Sequence, residues 1–355
     1  MSSQIPTVAK AWRFPSDQSS WNSYLSLELR DVSVTPPGKG KVLVKLHAAA
    51  LNNIKDPPSD HPLTNGPDEG GLIPTCDGAG EIVAIGEGVS EWKVGDRVHS
   101  LLFENWPSGP FKTEYSVTML GSSVQGYLSQ YRTFPAGAIL PIPDHLSYEE
   151  AATLPCAGVT AWDAIFGKHT VNRGSSILVL GSGGVSIFGA QLAKAAGARV
   201  IATTSNEAKA ARYKELGVDY VINYRETPNW SDKVRELTGG VGVDQVIEIG
   251  GQGTLIQSIK SVKQGGVVNL IGYLAQDGPS ATLNDIANLL IFGQVTLTGI
   301  AAGSKEAAQG LDSFISEHKI KPALDSRVFG WTEAAEAFRY LESGSHFGKV
   351  VIRID

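Results

Sequence analysis

A glycine-rich turn in the middle of the chain carries the clearest chemical signal. It reads Gly181-Ser-Gly-Gly-Val185, between an apolar strand and an amphipathic helix that begins near Val185. Gly181, Gly183 and Gly184 let the chain bend sharply and let a pyrophosphate approach bare backbone. The helix offers N–H groups and its positive dipole end to that anion. A glycine turn of some other α/β protein is the alternative, but the strand–turn–helix context favours a dinucleotide cofactor and redox chemistry. We assign Gly181, Gly183, Gly184 and Val185 to the binding of this cofactor.

The residues after the second strand indicate which nicotinamide cofactor to expect. An NAD site usually has a carboxylate here, which accepts a hydrogen bond from the ribose 2′-OH. This chain has Thr204 and Ser205 instead, followed by Lys209, and Tyr224-Arg225 ends the third strand. Hydroxyls and a cation suit a 2′-phosphate, although Lys209 and Arg225 could also be solvated surface charges. We predict NADPH, with NADH less favoured, and assign Thr204, Ser205, Lys209 and Tyr224 to its site.

Length and composition limit the class of protein. The chain has 355 residues, of which 42% are hydrophobic and 19% charged, and its formal net charge is −6. This length suggests about two domains. The absence of a basic stripe disfavours a nucleic-acid partner, and no apolar run is long enough to span a membrane. With only two cysteines and no pattern of a signal peptide, we expect a cytoplasmic protein that acts on a small-molecule substrate.

The pattern of elements changes along the chain. Residues 1–145 contain short β-like runs punctuated by glycine and proline. From residue 176 onward, strands alternate with helices, and a tail after residue 303 contains helices at 305–318 and 332–342 and a strand at 349–353. Six strands are predicted in the alternating part: 176–180, 199–204, 220–222, 244–248, 266–271 and 296–299. The predicted fold class is α/β, a Rossmann doubly wound parallel sheet joined to a β-rich domain.

Several longer motifs show a family resemblance that covers nearly the whole chain. They are Ala49-Ala-Leu-Asn-Asn-Ile-Lys-Asp56, Cys76-Asp-Gly-Ala-Gly-Glu81, Gly86-Glu-Gly-Val-Ser-Glu-Trp-Lys-Val-Gly-Asp-Arg-Val98, Ala151-Ala-Thr-Leu-Pro-Cys-Ala-Gly-Val-Thr-Ala-Trp162 and Ser343-Gly-Ser-His-Phe-Gly-Lys-Val-Val-Ile352. The chain resembles the medium-chain dehydrogenase/reductase superfamily, in its zinc-lacking, quinone-reductase-like branch. The resemblance implies a GroES-like catalytic domain at 1–145 completed by 304–355, and a Rossmann domain at 146–303. It also implies homodimers that pair Rossmann sheets edge to edge near Thr296.

The residues at the family's metal positions argue against zinc. Zinc-dependent relatives use a cysteine, a histidine followed by an acid, and a second cysteine; here Asn53, Cys76-Asp77 and Cys156 stand at those positions. An amide is a poor zinc ligand, and the family's four-cysteine structural loop is missing. We predict no metal. The two alternatives are an incomplete Cys76, Asp77 and Cys156 cluster, or buried thiols that pack as small apolar groups.

Without a metal, hydride transfer to an activated C=C bond or a quinone is favoured, because the developing negative charge spreads over a π-system. By resemblance, Asn53 and Thr160 lie beside the nicotinamide. Lys55 could stabilise an enolate or contact a cofactor phosphate. Each has an ordinary alternative: a loop-capping amide for Asn53, a solvated cation for Lys55 and a helix-start hydroxyl for Thr160. We assign all three as catalytic.

The remaining cofactor assignments lie further along the chain. Gly250 and Gly272 follow the fourth and fifth predicted strands, and the resemblance brings His346, Phe347 and Lys349 of the tail to the cofactor. Aromatic residues of the first domain either line an apolar pocket or pack among themselves; these are Phe103, Trp106 and Tyr127.

Three functions remain open from the sequence. The first is an NADPH-dependent, zinc-independent reductase of enones or quinones. The second is an alcohol dehydrogenase or carbonyl reductase, suggested by the retained Cys156. The third is an NADPH-binding sensor or scaffold without catalysis, because no residue is an unambiguous acid or base.

Overall fold

A computed structural model describes residues 5–52, 70–275 and 282–355. The chain divides into two compact units, Met1–Val159 with Ser304–Asp355, and Thr160–Gly303. Residues 146–159 thus group with the first unit, whereas the family resemblance assigns them to the second.

Strands dominate the first unit, and strands alternate with helices in the second. The strands are β1 Val8–Arg13, β2 Glu28–Ser33, β3 Lys41–Ala50, β4 Asp77–Ile85, β5 Arg97–Ser100, β6 Tyr131–Pro135, β7 Ile139–Pro141, β8 Ser176–Val179, β9 Arg199–Thr204, β10 Tyr220–Asn223, β11 Val243–Glu248, β12 Val262–Leu270, β13 Thr296–Gly299, β14 Leu324–Phe329 and β15 Lys349–Arg353. The helices are α1 Tyr148–Ala151, α2 Val159–Trp162, α3 Gly184–Ala195, α4 Glu207–Glu215, α5 Trp230–Leu237, α6 Leu255–Ser261, α7 Leu283–Gly293, α8 Lys305–His318 and α9 Ala334–Glu342, with π-helical turns at Leu154–Gly158 and Asp163–Gly167.

The second unit contains a six-stranded, wholly parallel sheet in the order β10-β9-β8-β11-β12-β13. This is the order of a complete dinucleotide-binding sheet. Strand numbers fall from β10 to β8 and rise from β11 to β13, so the strand order reverses between β8 and β11 while all strands stay parallel. The strands are apolar runs because both faces of such a sheet are covered: Ile177, Leu178 and Val179 are all fully buried. The prediction of a Rossmann sheet is confirmed.

The first unit contains a seven-stranded sheet in the order β14-β15-β3-β4-β5-β7, with β6 also paired to β3. β14 and β15 are parallel, and the other pairs are antiparallel. The C-terminal tail is part of this sheet because Val351 pairs with Ala50 across β15 and β3. The β-rich partner of the Rossmann sheet is therefore present, as the predicted fold class requires.

Capping explains where the tail helices begin and end. α8 occupies the predicted residues because the Ser304 side chain accepts the N–H of Ala307 at 3.2 Å, and Lys319 ends the helix in the left-handed conformation. α9 starts at Ala334 because residues Trp331–Glu333 form a 3₁₀ turn first. In the described part of the chain, no helix has the length and apolar character needed to cross a membrane.

Candidate active site

The glycine turn after β8 is built as a site for an anion. Gly181 has a φ of +70°, which favours glycine, and extended Gly183 precedes the first residue of α3. The turn is fixed from two sides: Gly181 donates its N–H to Thr203 Oγ1 at 3.2 Å and accepts the Tyr213 hydroxyl at 2.5 Å. No side chain of the described residues caps the N-terminus of α3, so its first N–H groups are available to a phosphate.

Two small residues let α3 lie close to the sheet. Ser186, at the third glycine position of the fingerprint, is buried and donates its hydroxyl to Leu180 O at 2.5 Å. A Cβ at Gly189 would come within 2.3 Å of Ile247 Cδ1, so with any larger residue the end of the Ile247 side chain would have to move for α3 to lie this close to β11. Gly189 was not among the predicted residues; its signal is a glycine inside a helical pattern.

The ends of β9 and β10 bring the predicted 2′-phosphate residues to one edge of the sheet. Tyr224 donates its N–H to Thr204 O at 3.0 Å, and Lys209 lies in the first turn of α4, which Asn206 caps. Thr204 is fully buried, and its Oγ1 has no hydrogen-bond partner among the described residues. A buried hydroxyl of this kind is costly unless another group satisfies it. With Ser205 beside it, this edge fits the ribose end of a dinucleotide.

A buried carboxylate organises the loop after β11. Glu248 Oε1 accepts the N–H groups of Gly250 and Gly251 at 2.6 and 2.9 Å and the hydroxyl of Thr254 at 2.6 Å. Its other oxygen accepts the hydroxyl of Ser258. Gly250 was predicted as a site residue but Glu248 was not; its signal is a charged residue at the end of an otherwise buried strand.

The loop after β12 packs on the loop after β11. Gly253 donates to Ala275 O at 2.9 Å, Ala275 donates to Gly250 O at 2.8 Å, and a Cβ at Gly272 would lie 2.8 Å from Ile249 O. The glycines predicted after the first, fourth and fifth strands therefore follow neighbouring strands at the carboxyl edge of the sheet, where its order reverses. Ligands of open α/β sheets bind at such a point.

A second group of reactive side chains lies in the first unit, where β3, β4 and β15 meet the turn at Leu154–Gly158. The ligand atoms of Cys76, Asp77 and Cys156 all lie within 4.8 Å of one another. Asp77 Oδ1 accepts the Cys156 N–H at 2.9 Å, and Asp77 Oδ2 accepts the Asn52 amide at 2.9 Å and the Lys349 ammonium at 3.0 Å. A hydrogen bond with Cys156, together with burial, raises the pKa of Cys76 well above its usual range.

The tail residues have fixed surroundings within the first unit. Phe347 is buried, and its N–H donates to Asp325 at 2.9 Å, while His346 beside it is partly exposed. Lys349 departs from its prediction as a cofactor contact. Its three N–H donors are taken by Leu51 O, Asn52 Oδ1 and Asp77 Oδ2, so the structure assigns it to the Asp77 cluster instead.

The other predicted site residues are distributed as follows. Thr160 is buried in α2, at the start of the second unit. Asn53 and Lys55 lie outside the described residues, so their assignments stay predictions. Phe103 and Trp106 are buried with ring centroids 5.7 Å apart, and Tyr127 stacks on Phe134 at 5.1 Å, which supports the packing alternative.

Comparisons with known proteins agree with both halves of the fold. The model described as "Alcohol dehydrogenase GroES-like domain" matches residues 38–144, and the one described as "Zinc-binding dehydrogenase" matches 184–317. A zinc-type alcohol dehydrogenase-like protein of Schizosaccharomyces pombe is 39% identical over 89% of this chain and 91% of its own length. The 2-methylene-furan-3-one reductase of Solanum lycopersicum is 32% identical over 98% of this chain and 80% of its own. A crystal structure of an NAD-dependent alcohol dehydrogenase is 32% identical, with a TM-score of 0.83, over 98% of this chain and 100% of that one.

A Rossmann sheet with an open phosphate turn, joined to a GroES-like unit, defines a dinucleotide-dependent oxidoreductase. The chain belongs to the medium-chain dehydrogenase/reductase family and is an NAD(P)H-dependent reductase or dehydrogenase, as the motifs predict.

The family includes zinc enzymes, so the Cys76, Asp77 and Cys156 cluster must be tested against that metal. A catalytic zinc site takes three protein ligands and one water in a tetrahedron, and the described residues supply three candidates, so the number of ligands does not decide the matter. Both oxygens of Asp77 are already engaged, one of them by the Lys349 ammonium. The donors present fit a hydrogen-bonded ion pair better than a zinc site.

Proposed function

We propose that this chain is an NADPH-dependent, zinc-independent reductase that transfers hydride to an activated C=C bond or to a quinone. The observation that carries the proposal is the Lys349 ammonium, 3.0 Å from Asp77 Oδ2 in the cluster at the family's metal position. A Lewis-acid metal chiefly assists carbonyl reduction, where charge collects on one oxygen. An enone or quinone distributes that charge, so its reduction depends less on a metal. The tomato relative, by its name, reduces a methylene group conjugated to a ketone.

The preference for NADPH rests on the edge formed by β9 and β10. Thr204 stands where an NAD site has a carboxylate, so no negative charge at this position opposes a 2′-phosphate. Lys209, in the first turn of α4, supplies a cation, and Tyr224 follows the strand residue paired with Thr204. The uncapped N-terminus of α3 takes the pyrophosphate.

The cofactor supplies the hydride, and the protein supplies orientation and electrostatics. The Glu248-anchored loop fixes the backbone on the β11 and β12 half of the sheet, where the second mononucleotide half binds. The Thr160 hydroxyl can donate a hydrogen bond to a developing oxyanion. The amide of Asn53, which the resemblance puts beside the nicotinamide, and the ammonium of Lys55, a candidate for stabilising an enolate, are assigned the same task.

The test is a steady-state assay of the purified chain with EDTA present. NADPH and NADH are each offered with a panel of enones and quinones, and NADP⁺ and NAD⁺ with simple alcohols. We expect NADPH oxidation driven by at least one enone or quinone, unaffected by EDTA, and weakened in the Thr160→Val variant. Alcohol oxidation abolished by the chelator would favour the alcohol dehydrogenase alternative. Tight NADPH binding without turnover on any substrate would favour a sensor or scaffold.

A further inference from the structure

Lys349 is a buried cation whose hydrogen bonds are complete. Its side chain is 3% exposed, and its Nζ lies 2.6 Å from Leu51 O, 2.7 Å from Asn52 Oδ1 and 3.0 Å from Asp77 Oδ2. An ammonium has three donors and no acceptor, so these three contacts use all of them. The ammonium is therefore held at one place against Asp77.

The hydrogen bonds of the Asp77 carboxylate are also complete. The side chain is fully buried; Oδ1 accepts from the Cys156 N–H at 2.9 Å and lies 3.7 Å from Cys76 Sγ, and Oδ2 accepts from Asn52 and Lys349. A carboxylate offers about four acceptor positions, and the described neighbours occupy all four. The Asn52 amide also reaches Cys76 Sγ at 3.3 Å, so the thiol belongs to the same network.

The charges of this network balance without a metal ion. Asp77 contributes one negative charge and Lys349 one positive charge, 3.0 Å apart and out of water. A divalent cation bound by the thiols and Asp77 would displace at least one present donor from that carboxylate. It would also lie close to the ammonium, and repulsion between like charges is strong where water is excluded.

We propose that Lys349 is an internal cation that keeps the Cys76, Asp77 and Cys156 cluster free of metal. Removing its charge turns these three residues into a site for a thiophilic divalent cation such as zinc or cobalt. The inference deepens the zinc-independent part of the proposed function and rests on it. It explains how a chain with two thiols and an acid at the family's metal position works without zinc.

The experiment compares metal uptake in Lys349→Met with that in three controls. Lys349→Arg keeps the positive charge; Lys349→Met with Asp77→Asn removes both charges; Lys349→Met with Cys76→Ser removes a thiol ligand. Each protein is dialysed against Co²⁺, and the readouts are thiolate-to-cobalt charge-transfer absorption, metal content and thermal melting. Metal content and spectra are read without substrate, so a wrong substrate class leaves this test valid.

We expect stoichiometric cobalt in Lys349→Met, with affinity about 10- to 100-fold above wild type, the range typical of changes next to metal ligands. Cobalt should raise its melting temperature and leave that of wild type unchanged. The Lys349→Arg protein and both double variants should stay metal-free. If Lys349→Met does not fold alone, because Asp77 is left as an unpaired buried charge, refolding from denaturant in the presence of zinc should rescue it.

Three results would overturn the inference. One is stoichiometric zinc, ligated by cysteine, in the wild-type protein as purified. Another is a folded Lys349→Met protein that takes up no metal, and the third is a misfolded one that zinc fails to rescue. The second and third results would leave EDTA-resistant turnover by the wild type, and hence the proposed function, intact.

Discussion

Glu248 gives the sharpest prediction about the cofactor half of the molecule. Its carboxylate accepts two backbone N–H groups, from Gly250 and Gly251, and two hydroxyls, from Thr254 and Ser258. We expect it to act as a positioning residue, since it holds the loop that carries the predicted cofactor contact at Gly250. It lies on the β11 half of the sheet, away from the β9 and β10 edge assigned to the adenosine phosphate.

The size of the effect follows from these hydrogen bonds. In Glu248→Gln the amide oxygen can keep the two N–H bonds, and the amide nitrogen can donate to the Ser258 hydroxyl. What is lost is the extra strength of a charged over a neutral acceptor, about 1 kcal/mol for each of the two N–H bonds. Glu248→Ala leaves both N–H groups buried without an acceptor, at about 1–3 kcal/mol each. The free energy of unfolding should fall in that order, with the alanine variant least stable.

Cofactor binding separates positioning from mere stability. A loop that is no longer held in place must be ordered by the cofactor, and the loss of about 2 kcal/mol from the two N–H bonds weakens binding about thirtyfold. We expect Glu248→Gln to weaken NADPH by about that factor and leave 2′,5′-ADP, which contains only the adenosine half, unchanged in calorimetric titration. Thr254→Val, which removes one hydroxyl donor, is the matched control and should have a smaller effect. Equal weakening of NADPH and 2′,5′-ADP, or no weakening of either, would refute the reasoning.

Three further predictions concern other parts of the molecule. Lys209→Ala should weaken the binding of NADPH and 2′,5′-ADP by about tenfold or more and leave the binding of NADH unchanged, because a hydrogen bond to a charged group contributes about 1.5–3 kcal/mol. An equal loss of NADH affinity in the same titration would contradict the phosphate contact. Burial lowers the pKa of His99, but Asp312, 3.0 Å from its Nε2, together with the Ser100 carbonyl and the charge of Asp77, raises that pKa above the usual value. The stability that this pair contributes is thus complete below about pH 6.5 and is lost as the pH rises through the folded-state pKa. The total loss is about 1.4 kcal/mol for each pH unit by which the folded-state pKa exceeds the unfolded-state pKa. Urea unfolding from pH 6 to 9 should show this loss in wild type and not in Asp312→Asn. Ile291 and Phe292 of α7 are 67% and 80% exposed, and β13 is an edge strand of the parallel sheet, so we expect a homodimer that forms through α7 and β13. Phe292→Asp should give monomers in light scattering, whereas a monomeric wild-type protein would contradict the expected dimer.

The sequence was sufficient for the Rossmann sheet because each of its features is local. The apolar strands, the glycine turn and the helix starts are set by residues within a few positions of one another, so all six strands were found close to their observed places. The ends of helices were less predictable. The pattern that predicts a helix at 332–342 also covers part of the 3₁₀ turn at Trp331–Glu333, so α9 itself starts at Ala334. Gly189 was missed because its reason is a contact with Ile247, on a strand more than fifty residues away.

The Asp77 cluster could be found only in part from the sequence, and the missing part changes its chemistry. Cys76, Asp77 and Cys156 were identified from motif positions, but Lys349 was assigned to the cofactor because its motif lies beside residues the family uses there. Its partner Asp77 is 272 positions away, and the two meet only because β15 pairs with β3 and β3 pairs with β4. The Lys349 ammonium on β15 can therefore take the place of a metal ion that the cluster would otherwise bind from solvent. Among relatives of this fold, the charge of the side chain at this position of β15 should therefore predict whether the cluster formed by the start of β4 and the turn that carries Cys156 here holds a metal. A relative with a lysine paired in this way and a tightly bound zinc in the same cluster would contradict that rule.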